Sequence, residues 1–391
     1  MHRSDARASR SLQHAVLAYA AWTLVAMALC LAGTSPAVST PGAAETTAAH
    51  SQLPPSGADA LVHLGRMMFF DRGLSRDGTI SCASCHQPDK AFTDGKPRAE
   101  GIGGQRGTRN TPSLRLAAFA DAQFWDGRRP TLEAQVLDPF LNPREHGWQD
   151  VGEVLRQMRE RTGYGLWFQR ALAISPHTAT PDDVARALGA YVHSLKLTDT
   201  PLDRYLFRGD QSALTGAEQR GLALFRGRAG CSGCHLIGDQ EAPLTDGKFH
   251  SVAIGLDRIA PTLPQLTRQV AATPRSELTA LVSSDPDVAA LGRFVVTLTP
   301  ADIGRFKTPS LRNVASTAPY MHDGSVASLE EAVERELYYR GRERGHPVVM
   351  SLAEKVDLLS FLKGLKDIPE TIGFPGPSEK CRTRDQYCLG K

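Results

Sequence analysis

The chain has 391 residues, 41% of them hydrophobic, and a formal net charge of +3. This length predicts about two globular domains, each with enough apolar residues for its own core. Because the net charge is close to zero, the composition gives no reason to expect a nucleic acid or an anionic membrane as a partner.

The N-terminus has the composition of an export signal. Three arginines within the first ten residues precede an apolar run at 15–33, and Ser35 and Ala37 are small residues typical of a cleavage site. We expect a signal peptide over 1–37 and a flexible leader over 38–57, rich in Ala, Thr, Ser and Pro. The apolar run is also long enough to be an uncleaved membrane anchor. Either alternative places the rest of the chain outside the cytoplasm, and we expect a periplasmic protein without a stable membrane anchor.

Two CxxCH motifs lie one in each half of the chain. CxxCH is the signature of c-type haem attachment, in which two thiols bond the haem vinyl groups and the adjacent histidine meets the iron. The motifs predict two covalently bound c-type haems. The attaching cysteines and the axial histidines are Cys82, Cys85, His86, Cys231, Cys234 and His235.

Two other uses of a CxxC pair compete with haem. Zinc sites also use such pairs, and four cysteines alone would favour zinc. A histidine directly after both pairs in an exported chain favours haem instead. A thioredoxin-like redox pair needs a βαβ context, which this sequence does not indicate.

A duplicated segment follows the two motifs. Thr-Pro-Ser-Leu-Arg occurs at 111–115 and again at 308–312, and both copies continue in one register to an Asp-Gly pair and a Leu-Glu pair. A shared register over this length predicts two homologous haem domains in one chain. We place them at 58–210 and 211–375, and the second contains an insertion, 256–304, to which the sequence assigns no role.

Helix signals are frequent and strand alternation is weak. Thr180 and Pro181 open a predicted helix that runs to about Leu197. Capping boxes precede two further helices, one at Thr215 and one at Ser351, the latter opening a predicted helix from Leu352 to Leu365. The predicted fold is all-α, with two cytochrome c-like haem domains in tandem.

Three cysteines lie outside the haem motifs. Cys30 is in the predicted signal. Cys381 and Cys388 lie in a polar tail, 376–391, where an oxidising compartment favours a disulfide over two unpaired thiols.

Residues 60–365 resemble the bacterial di-haem cytochrome c peroxidase/MauG family. The segments that carry the resemblance are Leu64-Gly65, Phe69-Phe70-Asp71, Leu74-Ser75, Arg109-Asn110-Thr111-Pro112, Phe124-Trp125-Asp126-Gly127-Arg128 and Pro319-Tyr320-Met321-His322-Asp323-Gly324.

The resemblance implies that the first haem is the reactive, peroxidatic one. Conventional peroxidases of the family have a removable histidine in the loop that here spans 101–107, and this loop contains no histidine, methionine or tyrosine. MauG-type members share that feature, which leaves the iron open to an oxidant. Gln135, Pro139 and Glu145 match the spacing of MauG-type distal residues: Glu145 would move a proton between the peroxide oxygens, Gln135 would orient the bound oxygen, and Pro139 cannot bind iron. Alternatively, Glu145 is an ordinary surface carboxylate.

The resemblance implies that the second haem stores electrons. Glu336 stands where the family's methionine or tyrosine ligand would fall, and two tyrosines follow it. We favour Tyr338 or Tyr339 as the sixth ligand over Glu336, Met321 or Met350, because Tyr338 fits a Tyr-x-Arg-Gly pattern similar to MauG-type proteins and Tyr339 is three residues from Glu336 on a helix. A phenolate ligand would lower the potential of this haem.

Two further roles follow from the resemblance. Trp125 aligns with the family's inter-haem tryptophan, an electron relay, although interdomain packing is compatible with the same position. Asn110, Thr317 and Pro319 match the family's calcium site, which suits oxygen ligands.

The resemblance implies a MauG-like oxidoreductase that uses hydrogen peroxide to oxidise a partner protein through a high-valent haem state. In MauG this reaction matures a tryptophan-derived quinone in methylamine dehydrogenase. One departure is that Arg228 to Gly230 precede Cys231, where MauG has a surface tryptophan. The alternatives are a conventional peroxidase that takes electrons from a small redox protein, and a non-catalytic di-haem electron carrier. The loop at 101–107 favours the MauG-like enzyme over both.

Overall fold

The computed structural model describes residues 57–195 and 199–367. The predicted signal at 1–37, the predicted leader before Gly57 and the predicted tail at 376–391 lie outside these residues, so the cleavage site and the Cys381–Cys388 disulfide stay predictions. None of the helices in the described ranges has the length and hydropathy to cross a bilayer.

The first half of the described chain is helical and has its own apolar core. Helix α1 packs along α7 and against α6, and Gly65 permits the close contact, because a Cβ there would meet the backbone oxygen of Ala187 on α7. Leu64, Phe168 and other apolar side chains are buried in this core. The helices are α1 (Ala58–Phe70), α2 (Cys82–Cys85), α3 (Leu132–Gln135), α4 (Asp138–Leu141), α5 (Val151–Glu160), α6 (Tyr164–Leu172) and α7 (Pro181–Ser194).

The second half repeats this arrangement around a separate core. Helix α9 packs on α16, and Gly221 on α9 permits the contact in the same way, against the backbone oxygen of Asp357. The helices are α8 (Pro201–Phe207), α9 (Gly216–Arg226), α10 (Leu256–Ile259), α11 (Leu263–Ala272), α12 (Arg275–Ser284), α13 (Pro286–Ala290), α14 (Phe294–Thr297), α15 (Leu329–Arg344) and α16 (Leu352–Lys363). The strands β1 (Phe249–His250) and β2 (Phe306–Lys307) pair antiparallel.

The mainly helical fold is therefore confirmed, and so are the predicted helix starts. Thr180, Thr215 and Ser351 each cap the helix that follows, and each receives the reciprocal bond of a capping box. Helix α7 ends at Ser194 and α16 at Lys363, two to three residues before the predicted ends. The strands were not predicted, because each has two residues and their pairing is not local in sequence.

The duplicated segment has the same backbone geometry in both copies. Gln123 forms an isolated antiparallel bridge with Arg129, and Tyr320 forms one with Val326. The residue after the first partner has a positive φ in each copy, 68° and 71°. The shared sequence register thus produces the same turn twice.

The predicted insertion forms a helical layer with a third apolar core, built from α10 to α14. Among the described residues, hydrogen bonds join it to the first half at Thr108 and at Asp126–Gly127. Thr108 Oγ1 donates to the backbone oxygen of Val282 at 2.8 Å. Arg293 Nη1 donates to the backbone oxygens of Asp126 and Gly127 at 3.0 and 2.9 Å. The insertion therefore packs against the first copy of the duplicated segment.

Candidate functional site

Both halves contribute to one continuous cavity of about 600 Å³. It is lined by Cys85 and His86 from the first half and by Cys231, Cys234 and His235 from the second. Cys82 packs at the edge of the first apolar core. The two CxxCH motifs, 149 positions apart in sequence, therefore open onto a shared interior space.

The two motif histidines are held in the same way. Nδ1 of His86 donates to the backbone oxygen of Phe92 at 3.0 Å, and Nδ1 of His235 donates to that of Leu244 at 2.9 Å. Because a carbonyl oxygen can only accept, Nδ1 carries the proton and Nε2 keeps its lone pair for a metal. Burial lowers the pKa of both imidazoles, that of His235 to about 4, so both are neutral at neutral pH. Both side chains have the tautomer and charge of an axial haem ligand.

Two arginines on the cavity wall fit the propionate edge of a haem. The guanidinium of Arg109 has Nε and Nη1 buried without a hydrogen-bond partner in the described chain, and Nε of Arg128 is in the same state. Both arginines line the cavity and are anchored by the buried Asp126, at 3.2 and 2.9 Å. A guanidinium suits a carboxylate, so this part of the cavity fits a haem propionate.

Zinc is not favoured by the arrangement of the cysteines. Within 57–195 and 199–367, the group of three or more metal-binding side chains whose ligand atoms lie within 4.8 Å of one another is Cys234, Asp246 and His250. The two CxxC pairs do not converge on one ion, as a four-cysteine zinc site requires.

The structure places the three predicted distal residues on the wall of the same cavity. Gln135 on α3, Pro139 on α4 and Glu145 after α4 all line the cavity. Asn142 Nδ2 donates to Glu145 Oε1 at 2.6 Å. Burial raises the pKa of Glu145 to about 7, although the charge of Arg128 and the bond from Asn142 oppose the shift. A carboxyl group with this pKa can both take and give a proton near neutral pH.

The loop at 101–107 packs against the Glu145 turn. Ile102 N donates to the backbone oxygen of Glu145 at 3.0 Å. Gly101 lies so close that a Cβ there would meet the backbone oxygen of Arg144. Among the cavity-lining residues of the described first half, His86 is the sole histidine and none is methionine or tyrosine.

Trp125 lies between the two halves. Its Nε1 donates to the backbone oxygen of Asn110 at 2.9 Å, and its own backbone oxygen accepts from Lys307 N at 2.8 Å. Asn110 N in turn donates to the backbone oxygen of His322 at 2.9 Å. The ring is half-buried and lines the cavity, and the backbone of Trp125 joins the first half to Lys307 of the second half.

The three residues predicted to bind calcium line the same cavity. Asn110 Nδ2 donates to the backbone oxygen of Lys96 at 3.0 Å, and its Oδ1 would be the atom offered to calcium. Thr317 and Pro319 lie on the lining from the second half. The donor set is composed of oxygens, as calcium prefers.

Near the second motif, the side chains that line the cavity are not the tyrosines that the sequence favoured as the sixth haem ligand. Tyr338 is 60% exposed, and neither Tyr338 nor Tyr339 belongs to the cavity lining. Glu336 and Met321 do belong to it, whereas Met350 is buried in the second core.

Two contributors were missed from the sequence. Asn142 is separated from Glu145 by two residues, and no local pattern indicated that the side chains would meet. Lys307 is half-buried between the halves, where Nζ donates to the backbone oxygen of Ala122 at 2.6 Å and desolvation lowers its pKa to about 8. The sequence feature that could have indicated this role is the position of Lys307 directly before the second Thr-Pro-Ser-Leu-Arg segment.

Comparison with known proteins identifies similar chains over most of the length of this one. A family model described as di-haem cytochrome c peroxidase matches residues 59–212. The chain is 33% identical to the methylamine utilization protein MauG of Methylorubrum extorquens, over 90% of this chain and 97% of that protein. It is 32% identical to the cytochrome-c peroxidase IdrP2 of Denitromonas iodatirespirans, over 88% and 92%.

Two solved structures are similar in fold. A MauG-like protein associated with microbial copper homeostasis has a TM-score of 0.63 and 30% identity, covering 83% of this chain and 96% of that chain. The diheme peroxidase BthA from Burkholderia thailandensis has a TM-score of 0.59 and 26% identity, covering 78% and 86%.

Proposed function

The chain belongs to the di-haem cytochrome c peroxidase family, and on that premise we propose that it is a MauG-like enzyme. It uses hydrogen peroxide to oxidise a partner protein in the periplasm. The observation that carries the proposal is the meeting of Gln135, Pro139 and Glu145 on a cavity that also contains His86.

When bound, the two c-type haems supply iron that reacts with peroxide and stores oxidising equivalents. His86 and His235 would offer Nε2 to the two irons, and Arg109 and Arg128 would bind propionate. Glu145 would take a proton from one peroxide oxygen and give it to the other, since its pKa of about 7 allows both. Gln135 orients the oxygen, and Pro139 excludes water without competing for iron.

The loop at 101–107 favours this function over that of a conventional peroxidase. Identity alone does not separate the two, because MauG and peroxidase relatives are 33% and 32% identical to this chain. A side chain that blocks the iron until the protein is reduced has no counterpart in that loop. The alternatives are a peroxidase supplied with electrons by a small redox protein and a di-haem electron carrier.

The remaining roles are part of the same proposal. Two haem domains, 58–210 and 211–375, would hold the reactive and the electron-storing haem. Trp125 relays electrons between them, and a calcium ion bound by Asn110, Thr317 and Pro319 stabilises their contact. Maturation of a tryptophan-derived quinone in methylamine dehydrogenase is one reaction of this class. The proposal names the class of reaction and leaves the partner protein open.

The proposal is tested by adding peroxide to the fully oxidised holoprotein and following the haem absorption by stopped flow. We expect a high-spin ferric EPR signal from the first haem and a direct reaction with peroxide. A reaction that appears only after one-electron reduction would identify a conventional peroxidase. Two low-spin ferric signals with no reaction toward peroxide would instead identify a non-catalytic electron carrier.

A further inference from the structure

One face of α15 forms the wall of the cavity beside the second motif. Its members recur every three or four positions, so they point the same way from the helix. They are Leu329, Ala332, Val333, Glu336, Leu337 and Arg340. Glu336 is the one member with an oxygen in its side chain.

Glu336 is connected to the second attachment site through Arg340. Oε2 of Glu336 lies 3.7 Å from Nε of Arg340, and Nη1 of Arg340 lies 3.6 Å from Sγ of Cys234, the residue before His235. The Glu336 side chain is 39% exposed although it belongs to the inward face of the helix, because it opens onto the cavity. Its carboxylate is therefore directed to the space that His235 also lines.

The two tyrosines of the same helix are directed elsewhere. Tyr338 and Tyr339 pack edge to face at 5.2 Å, and Arg342 covers the Tyr338 ring at 6.0 Å. This aromatic pair stands outside the cavity lining. A rotation of α15 by a large part of a turn would be needed to exchange Tyr338 with Glu336.

Two other side chains of the lining are engaged. Nε2 of His250 is 2.8 Å from Oδ2 of Asp246. Met321 packs into a small apolar cluster with Ile254 and Val326. Both side chains therefore make contacts within the second half, whereas Glu336 stands on the helix face that forms the cavity wall.

We propose that the Glu336 carboxylate, and neither tyrosine, is the protein ligand that completes the second haem iron together with His235. Carboxylate oxygen is an established ligand of iron in proteins. Like a phenolate, it is anionic and stabilises the ferric state. The inference rests on the proposed function only in requiring a haem at the second motif, and it needs no reaction with peroxide.

The test exchanges ligands in the holoprotein and reads the ferric EPR spectrum. Glu336→His should give a bis-histidine low-spin signal, because a strong-field ligand replaces a weak one at the iron. Tyr338→His and Tyr339→His are the matched substitutions and should leave the spectrum as in the wild type. Haem content, measured as the pyridine haemochrome, shows that each variant has folded around both haems.

Glu336→Gln supplies a second, milder measurement. It should change the ferric signal of the second haem, and Glu334→Gln, at an exposed position of α15, should not. If Glu336→His loses haem, Glu336→Met replaces it and should give a methionine-ligated spectrum with a raised reduction potential. A bis-histidine signal in either tyrosine variant, or unchanged spectra in all Glu336 variants, overturns the proposal. Peroxide reactivity of the first haem is scored separately, so the two proposals fail independently.

Discussion

The side-chain nitrogen of Asn142 lies 2.6 Å from Oε1 of Glu145, and this bond ties the carboxyl group to the turn between α4 and α5. It acts against burial, which raises the pKa of Glu145 to about 7. A donor that stabilises the carboxylate lowers the pKa, whereas the apolar surroundings favour the neutral acid. The balance keeps the group near half ionised at neutral pH.

Glu145→Gln should slow the reaction with peroxide by about 10²–10⁴-fold, because the amide cannot accept the proton. In the wild type the rate should fall as pH decreases through about 7, since protonation removes the base, and this limb should be absent in the variant. Stopped-flow absorption at a series of pH values measures both. Glu160→Gln, at an exposed position on α5, is the control, and equal rates in both variants would remove Glu145 from the mechanism.

Asn142→Ala should move the same pH limb upward by about one unit. The variant loses a hydrogen bond to a charged group worth about 1.5–3 kcal/mol, and one pKa unit corresponds to about 1.4 kcal/mol. The sign follows from the donor, which favours the ionised form. A lower plateau rate with an unmoved limb would show that Asn142 acts only on the local structure.

Gly101→Ala should displace the Glu145 turn. A Cβ at this position meets the backbone oxygen of Arg144, and such overpacking costs about 1–3 kcal/mol. The unfolding midpoint in urea should decrease, and the peroxide reaction should slow with it. Gly107→Ala is the control within the same loop, because a Cβ there makes an ordinary contact of 3.7 Å with the backbone oxygen of Ala99. Equal effects of the two substitutions would contradict the role assigned to Gly101.

Arg293→Met should destabilise the contact between the insertion and the first half. It removes both donors to the backbone oxygens of Asp126 and Gly127, at a cost of about 2 kcal/mol in the free energy of unfolding. Because these residues follow Trp125, electron exchange between the two haems should also slow. Denaturant unfolding and the optical response of the second haem after peroxide measure the two effects. Arg268→Met, at an exposed position on α11, should alter neither, and a stable Arg293→Met protein would show that the insertion does not hold this segment.

Features that depend on neighbours in sequence can be predicted from a short window of residues. The capping boxes at Thr215 and Ser351 are satisfied by residues three positions away, so a short window contains all the interacting groups. The turn at Gln123 and its copy at Tyr320 adopt one geometry because the duplicated residues impose the same backbone conformation. The motif at Cys82 and that at Cys231 likewise indicate their chemistry by spacing alone.

Features that depend on the direction of a side chain were not determined by the sequence. The sequence left Tyr338, Tyr339 and Glu336 as alternatives at the second haem, because all three lie within one turn of α15 and the sequence does not fix which side of the helix faces the cavity. The rotation of the helix, set by packing of Leu329 and Leu337 into the second core, decides which side chain lines the cavity.

The sequence by itself determined the mainly helical fold, the helix starts and the family, since these follow from local spacing and from short motifs. The tertiary structure decided that Asn142 hydrogen-bonds to Glu145 and that the insertion hydrogen-bonds to the residues after Trp125. It also decided that Glu336 lines the cavity. Those relationships join groups whose separation in space is fixed by packing, and packing is a property of the whole chain.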